Sequence, residues 1–343
     1  MKRLLNTLYV TTQGTYLARE GETVLVRVEK QTRLRVPIHT LGGIVCFGRV
    51  SMSPGLMGLC GERKILVSFL KESGRFLARV QGPVSGNVLL RREQYRKADD
   101  LVFTASIARA AVAGKIANCR TVLLRVLRDR PGGPNEDEMK AAADQLARLA
   151  EPLRIITDLD EVRGLEGEAA RVYFGVFDHL ITSEKDLFFF RGRSRRPPLD
   201  NMNALLSFLY TLLAHEMTSA LEGVGLDPAV GFLHRDRPGR PGLALDLMEE
   251  FRPILADRLA LALINRKQLR GKDFVQQENG AVLMTDAARK EVVTAYQKRK
   301  QEELNHPFLG EKVSIGLLPH VQALLLSRRL RGDLDDYPPF VWR

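Results

Sequence analysis

Near residue 80 the hydrophobic repeat of this chain changes period, and one kind of layer cannot accommodate both parts. In "TVLVRVEK", Val24, Val26 and Val28 fall on one face and Arg27 and Glu29 on the other, the two-residue period of a half-buried strand. Leu34, Val36 and Ile38 alternate with Arg33 and Arg35 in "RLRVPI", and "ILVSFL" and "RFLARV" are joined by the turn-forming "KESG". A single helix is predicted to interrupt these strands, around Pro54 to Cys60. The stretch "QGPVSGN", Gln81 to Asn87, ends the strand pattern with Gly, Pro and Ser. Beyond it apolar residues recur three and four apart, which predicts helices over 88–97, 101–129, 136–151, 159–178, 200–223, 243–267, 286–304 and 314–330. A strand pair at "KDFVQQENGAVLM", turning at Asn279-Gly280, interrupts that run. The expectation is an α+β chain: a small antiparallel β-rich domain over residues 1–83, then a larger all-α domain over 84–343.

Charge is divided unequally between the two parts. Residues 1–83 carry 13 basic and 5 acidic side chains, a net +8 of the chain's +11. Residues 84–343 carry 39 and 36 and are charged on both signs. Such a balance favours a polyanionic partner. A membrane partner is not expected, because no run of about 20 apolar residues and no basic amphipathic terminal helix stands out. The opening "MKRLLNTLYVTT" is basic, but Asn6 and Thr7 break its apolar run and no small-residue cleavage site follows. Cys46, Cys60 and Cys119 form no CxxC pair and have apolar neighbours. They read as buried reduced thiols, in keeping with a cytoplasmic protein.

Three places carry chemistry. In "DLDEVRGLEGEAARVYFGVF", Leu159, Val162, Ala169, Ala170, Tyr173 and Phe177 form an apolar stripe, and Glu166 lies inside it. A carboxylate there needs a proton, a cationic partner or a metal; a salt bridge to Arg163 or to an arginine of another helix is the competing reading. In "GFLHRDRPGRPG", His234 enters a Pro- and Gly-rich loop, where a lone histidine is more often structural or solvated than a ligand. That loop runs directly into "ALDLMEEFRP", where Asp246 and Glu249 project from one helix face and Glu250 flanks them. Pro253 removes the hydrogen bond to the Glu249 carbonyl and is expected to kink the helix. Glu166, His234 and Glu249 would make a hard oxygen-nitrogen set, better suited to Mg2+ or Mn2+ than to structural zinc. Arg191, Arg193, Arg195 and Arg196, and with them Arg235, Arg237 and Arg240 around His234, suit phosphate; a solvated loop is the alternative for the first group.

The ordered set "GLEGEAARVYF", "DNMNALLSFLYTLL", "GFLHRD" and "LALDLMEEFRP" resembles the Cas1 family of CRISPR-associated integrase-endonucleases over essentially the whole length. "AGKIANCRTVLLR" is similar to the helix that follows the family's first domain, and "MKRLLNTLYVTTQGTYLARE" looks like the type I-C branch. The resemblance implies a β-rich N-terminal domain that dimerises, a helical catalytic domain, double-stranded DNA as substrate, and the small Cas2 protein as partner. It places the metal ligands, and with them catalysis, on Glu166, His234 and Glu249. Asp246 and Glu250 would support the site from outside the ligand set. The implied reaction joins the 3′-hydroxyl ends of captured DNA to a repeat by transesterification, with hydrolysis when water attacks instead. Two other readings stay open: a helical metal-dependent nucleotide pyrophosphatase, which would want two facing carboxylate pairs, and a non-catalytic DNA-binding scaffold. The closing stretch "DLDDYPPFVWR" has no place in any of them.

Overall fold

The computed structural model describes residues 6–72, 74, 76–82 and 88–342. They divide into two compact units: one is formed by the chain up to Ser85 together with Met284–Thr294, the other by Gly86–Leu283 and Ala295–Arg343. The return of Met284–Thr294 to the first unit is not contained in a single cut after residue 83. That cut lies among residues 83–87, outside the described residues.

The first unit contains β1 (Asn6–Val10), β2 (Tyr16–Glu20), β3 (Thr23–Val28), β4 (Gln31–Pro37), β5 (Leu41–Phe47), β6 (Ser51–Met52), α1 (Pro54–Glu62), β7 (Leu66–Leu70) and β8 (Phe76–Val80). They form two four-stranded sheets, ordered β1-β5-β7-β8 and β4-β3-β2-β6. The expected antiparallel pairing holds for β2-β3, β3-β4 and β7-β8. It is corrected for β1-β5, β5-β7 and β2-β6, which are parallel. The reason is connectivity: a hairpin forces antiparallel neighbours, whereas the chain between β5 and β7 passes through β6 and α1, and such a crossover returns in parallel. Of the "KESG" turn, Ser73 lies outside the described residues, as does Arg75 beyond it. Val10, Leu17, Val24, Ile38, Ile44, Cys46, Leu56, Cys60 and Val67 fill the core between these elements. β4 and β8 are edge strands with Leu34, Phe76 and Leu77 exposed.

The second unit is built on α2 (Val88–Asp99), α3 (Leu101–Asp129), α4 (Glu136–Ala150), α5 (Leu159–Gly175), α6 (Asn201–Val224), α7 (Gly242–Met248) and α8 (Arg258–Asn265). The short pair β9 (Phe274–Gln276) and β10 (Val282–Met284) follows, with Gly280 between them at φ +78°. Then come α9 (Asp286–Gln301), whose residues up to Thr294 belong to the first unit, a second pair β11 (Glu303–Asn305) and β12 (Lys312–Ser314), and α10 (Leu318–Leu330). The β11-β12 pair corrects the all-helical expectation, since a strand of three residues is too short to show a period. α3 begins where Asp100 accepts hydrogen bonds from the amides of Val102 and Phe103 at 3.0 and 3.1 Å, the usual capping of orphan donors. α6 is long and apolar enough to cross a membrane, which corrects the expectation that no such run stands out; most of it is buried inside the unit, so it is a core helix. The helix expected over 243–267 is broken: α7 stops at Met248, and Arg252–Asp257 form a π-helical turn before α8. Pro253 has no N–H to continue the α ladder, and the Arg258 amide reaches the Pro253 carbonyl, five residues back. All three cysteines are buried and free.

Candidate active site

Four segments of the second unit meet around one buried ammonium. Lys115 lies in the middle of α3, where Ala111, Val112, Ile116 and Cys119 are buried with it. Its Nζ is hydrogen-bonded to Glu166 Oε1 on α5 and lies 2.7 Å from Glu249 Oε2, just past the end of α7. The Arg252 guanidinium, on the π turn, reaches the other Glu249 oxygen at 2.7 Å. Glu249 is 3% exposed and Lys115 5%, so neither charge is stable there alone. Burial raises the Glu249 carboxyl, but the charges of Arg252 and Lys115, the Lys115 contact and His234 together hold it well below the carboxylate range. Burial lowers the Lys115 ammonium and the Glu249 and Glu166 charges reverse that, leaving it raised. Both groups are therefore charged at neutral pH. Glu249 Oε2 is paired with the ammonium at 2.7 Å, and a carboxylate oxygen has a second lone pair that could meet another cation.

His234 is brought to this cluster by Asp246. The Asp246 carboxylate is 1% exposed and accepts from the amides of Phe232, Leu233 and His234 at 2.6, 2.9 and 2.9 Å. The same carboxylate binds the His234 ring at Nδ1, 2.7 Å away. Nδ1 is thereby occupied, which leaves Nε2 as the ring nitrogen available to a ligand, the arrangement usual for a ligating histidine. Gly231 makes this possible: a Cβ there would lie 2.7 Å from Asp246 Oδ2. Arg163 Nε donates to the Leu233 carbonyl at 2.8 Å, which ties α5 to the loop. Arg163 therefore does not pair with Glu166, as the salt-bridge reading allowed; its carboxylate partner is Asp160, at 2.7 Å.

The structure thus brings Glu166 and Glu249 onto one cation, Lys115, and holds His234 on Asp246. Among the described residues no three acidic, histidine or cysteine side chains already converge as a metal cage. Glu250, expected beside Glu249, is fully buried and points the other way, towards Tyr337 and the Phe340 amide. Arg191, Arg195, Arg196, Arg235 and Arg237 are exposed, and Arg235 also touches Asp160 at 3.1 Å. Arg193 departs from the phosphate-facing expectation. Its guanidinium donates to Asn203 Oδ1 at 2.6 Å and to Ser207, and lies 4.9 Å from the centre of the Tyr210 ring. Arg252 lies over the same ring at 4.3 Å, and the Tyr210 hydroxyl donates to Asp257 at 2.5 Å. Lys115, Arg252, Tyr210 and Asp257 were not among the sequence candidates. The signal for Lys115 was a single cation inside "AAVAGKIANC", and for Arg252 a cation between Phe251 and Pro253.

Comparison with known proteins settles the family. The family model described as CRISPR associated protein Cas1 matches residues 8–298. The chain belongs to the Cas1 family. A CRISPR-associated endonuclease Cas1 of Chlorobaculum tepidum is 58% identical over 343 residues, the whole of both chains. Among solved structures, a chain of a Cas6-RT-Cas1–Cas2 complex superposes with a TM-score of 0.84 at 23% identity, covering 100% of this chain and 36% of that one. A casposase bound to its integration product gives 0.83 at 21%, covering 99% and 95%. At these identities the two structures speak for the Cas1 fold alone. The fold class and the enzyme class expected from the sequence, a β-rich part and a helical part forming a CRISPR-associated endonuclease, therefore stand.

Proposed function

We propose that this Cas1 chain is a metal-dependent DNA endonuclease and integrase of CRISPR adaptation, with its reaction centre at Glu166, Glu249 and His234. The observation that carries the reading is the placing of two carboxylates against one cationic position, with a histidine held by Asp246 nearby. A divalent ion fits this donor set: Glu249 Oε2 has a lone pair beyond the one that meets Lys115, the set is hard oxygen plus imidazole, and the ammonium of Lys115 stands where positive charge is wanted. Glu166, Glu249 and His234 Nε2 would hold Mg2+ or Mn2+, which when bound supplies Lewis-acid polarisation of a phosphoryl oxygen. The chain's own residues do the rest. Arg252 fixes the Glu249 carboxylate through Oε1, so that Oε2 faces the site. Asp246 holds the imidazole by Nδ1. Arg191, Arg195, Arg196, Arg235 and Arg237 are placed in solvent, where guanidiniums engage a DNA backbone. In the joining step the 3′-hydroxyl oxygen of the captured DNA forms a bond to a repeat phosphorus. The bond to the leaving 3′-oxygen breaks; the attacking hydroxyl gives its proton to solvent and the leaving oxygen takes one up from solvent to become a hydroxyl.

The partners follow the same reading: double-stranded DNA, a second copy of this chain and the small Cas2 protein, in the cytoplasm. The edge strands β4 and β8 of the first unit, with exposed Leu34, Phe76 and Leu77, support residues 1–83 as the dimerisation domain and the following residues as the catalytic one. One observation favours a second reading. Both carboxylates already have cationic partners, as in a non-catalytic DNA-binding scaffold. No comparable observation favours a pyrophosphatase, because Asp246 and Glu250 are committed to backbone and buried partners rather than to a second acidic pair. Strand transfer of a short 3′-hydroxyl duplex into a repeat-bearing plasmid, with and without Cas2, separates the readings. Glu249→Gln and His234→Ala are expected to lose joining and keep DNA affinity. Joining by Glu249→Gln at the parental rate would remove Glu249 from the reaction centre, whereas DNA binding without joining by the parental chain would leave the scaffold reading.

A further inference from the structure

The stretch that follows α10 is built into the back of the site. The Tyr337 hydroxyl donates to Glu250 Oε1 and the Phe340 amide to Glu250 Oε2, each at 2.7 Å. The Phe340 ring stacks on Phe251, with centroids 5.4 Å apart and planes 18° apart. The neighbours of Glu249 on its C-terminal side, Glu250 and Phe251, are thus both held by this stretch. The same happens on α3 around Lys115. Asn118, one turn on, donates through Nδ2 to the carbonyls of Glu250 and Phe340 at 2.7 and 2.9 Å, and accepts from the Trp342 amide at 2.7 Å. Gly114, the residue before Lys115, lets the layers close: a Cβ there would stand 3.1 Å from Pro339 Cβ and 3.2 Å from Glu250 Cγ. Trp342 lies under Arg125 and Arg258, at 4.9 and 4.2 Å from the ring centre. One buried amide side chain therefore ties three segments together, and its bonds flank both members of the Lys115–Glu249 pair.

We propose that Tyr337–Trp342 is a positioning element for the reaction, which fixes α3 and the Glu249–Phe251 turn so that Lys115 and Glu249 keep one geometry within the reaction centre. It touches none of the reacting atoms. It acts because a shift of about 1 Å at a reacting group can cost about a hundredfold in rate, while the exposed arginines that would hold DNA do not depend on it. The inference rests on the proposed reaction centre, so the test must separate the two.

The full chain with its partner, a short 3′-hydroxyl duplex and a repeat-bearing plasmid serve as the assay, well below each variant's melting temperature. Single-turnover joining at saturating DNA is read beside DNA affinity. Trp342→Ala is expected to lower the joining rate by about tenfold or more with DNA affinity held within about twofold, the split expected when geometry rather than binding is lost. Trp342→Phe, which keeps an aromatic ring for Arg125 and Arg258, should recover most of the rate. Tyr337→Phe removes one donor from Glu250 without changing the packing, and should give a smaller loss of the same kind; it decides the matter on the same criteria if Trp342→Ala does not fold. Folded variants that join at the parental rate would overturn the proposal. So would a loss of rate matched by an equal loss of DNA affinity. Glu249→Gln in the same assay reads the centre itself. If it joins normally, the reaction-centre reading fails; if it is inactive while both variants of the stretch are fully active, only the positioning role fails.

Discussion

Replacing Lys115 by methionine keeps an unbranched chain of similar length and removes the charge on which Glu166 and Glu249 meet. Breaking a buried ion pair by removing one partner costs about 3–5 kcal/mol, because the remaining charge is left desolvated. Glu249 keeps Arg252 at 2.7 Å and the Glu166 side chain is 29% exposed, so the lower end, about 3 kcal/mol, is appropriate. At roughly 2–4 °C per kcal/mol for a domain of this size, the melting temperature should fall by about 6–12 °C in EDTA. A divalent ion that enters between the carboxylates replaces the lost charge, and binding to the folded state alone stabilises by about 2.7 kcal/mol at a hundredfold excess over Kd. Mn2+ should therefore restore most of the loss in Lys115→Met and raise the parental melting temperature less. Differential scanning fluorimetry in EDTA and across a Mn2+ titration reads both. A variant as stable as the parent in EDTA, or destabilised but indifferent to Mn2+, would refute the reasoning.

Three further outcomes are expected. Burial pushes the Glu250 carboxyl up to about 8 from 4.5, against the bonds donated by the Phe340 amide, Tyr337 and Gln322. Between those values the unfolded chain has lost a proton that the folded one keeps. Stability should therefore fall as pH rises through that window, by a few kcal/mol in all, since one proton contributes about 1.4 kcal/mol for each pH step of one. Glu250→Gln should abolish the slope; urea melts below, within and above the window check it. Gly231→Ala drives a Cβ to 2.7 Å from Asp246 Oδ2, so joining should fall about tenfold or more as the His234 loop is displaced, visible as a lower rate at unchanged DNA affinity. Arg191→Ala and Arg195→Ala should each reduce the slope of log affinity against log salt by about one, and fluorescence anisotropy at several salt concentrations would show if it is unchanged.

What could be read from the sequence is what periodicity carries. α3, α5 and α6 fall within three residues of their expected bounds, because each keeps an apolar stripe over several turns and begins at a capping Asp: Asp100, Asp158 or Asp200. The parallel pairings were not legible, since alternation tells which face is buried and nothing about the neighbour's direction. Glu166 stood out because a carboxylate in an apolar stripe calls for a partner. That its partner is Lys115 was hidden, because the two are 51 residues apart and a lone lysine in a helix reads as a solvated side chain. The stretch after α10 gave no signal: its contacts run through backbone groups of Phe340 and Trp342 to Asn118 and through the single aromatic side chains of Tyr337, Phe340 and Trp342, and neither leaves a repeat in the sequence.

The π turn at Arg252–Asp257 also determines how this region can change length. Its wider winding accommodates one residue more than an α turn would. Upstream of it Glu249 faces Lys115 and Glu250 faces Tyr337; within it, Arg252 reaches back to Glu249 and Asp257 meets Tyr210. Removing one residue would close the turn to regular winding and shift Arg252 against Asp257. No single substitution could then re-aim both side chains at once. Insertions and deletions should therefore be excluded from residues 249–257, while the exposed loop Arg235–Gly239 should accept them, provided Asp246 keeps its hold on His234.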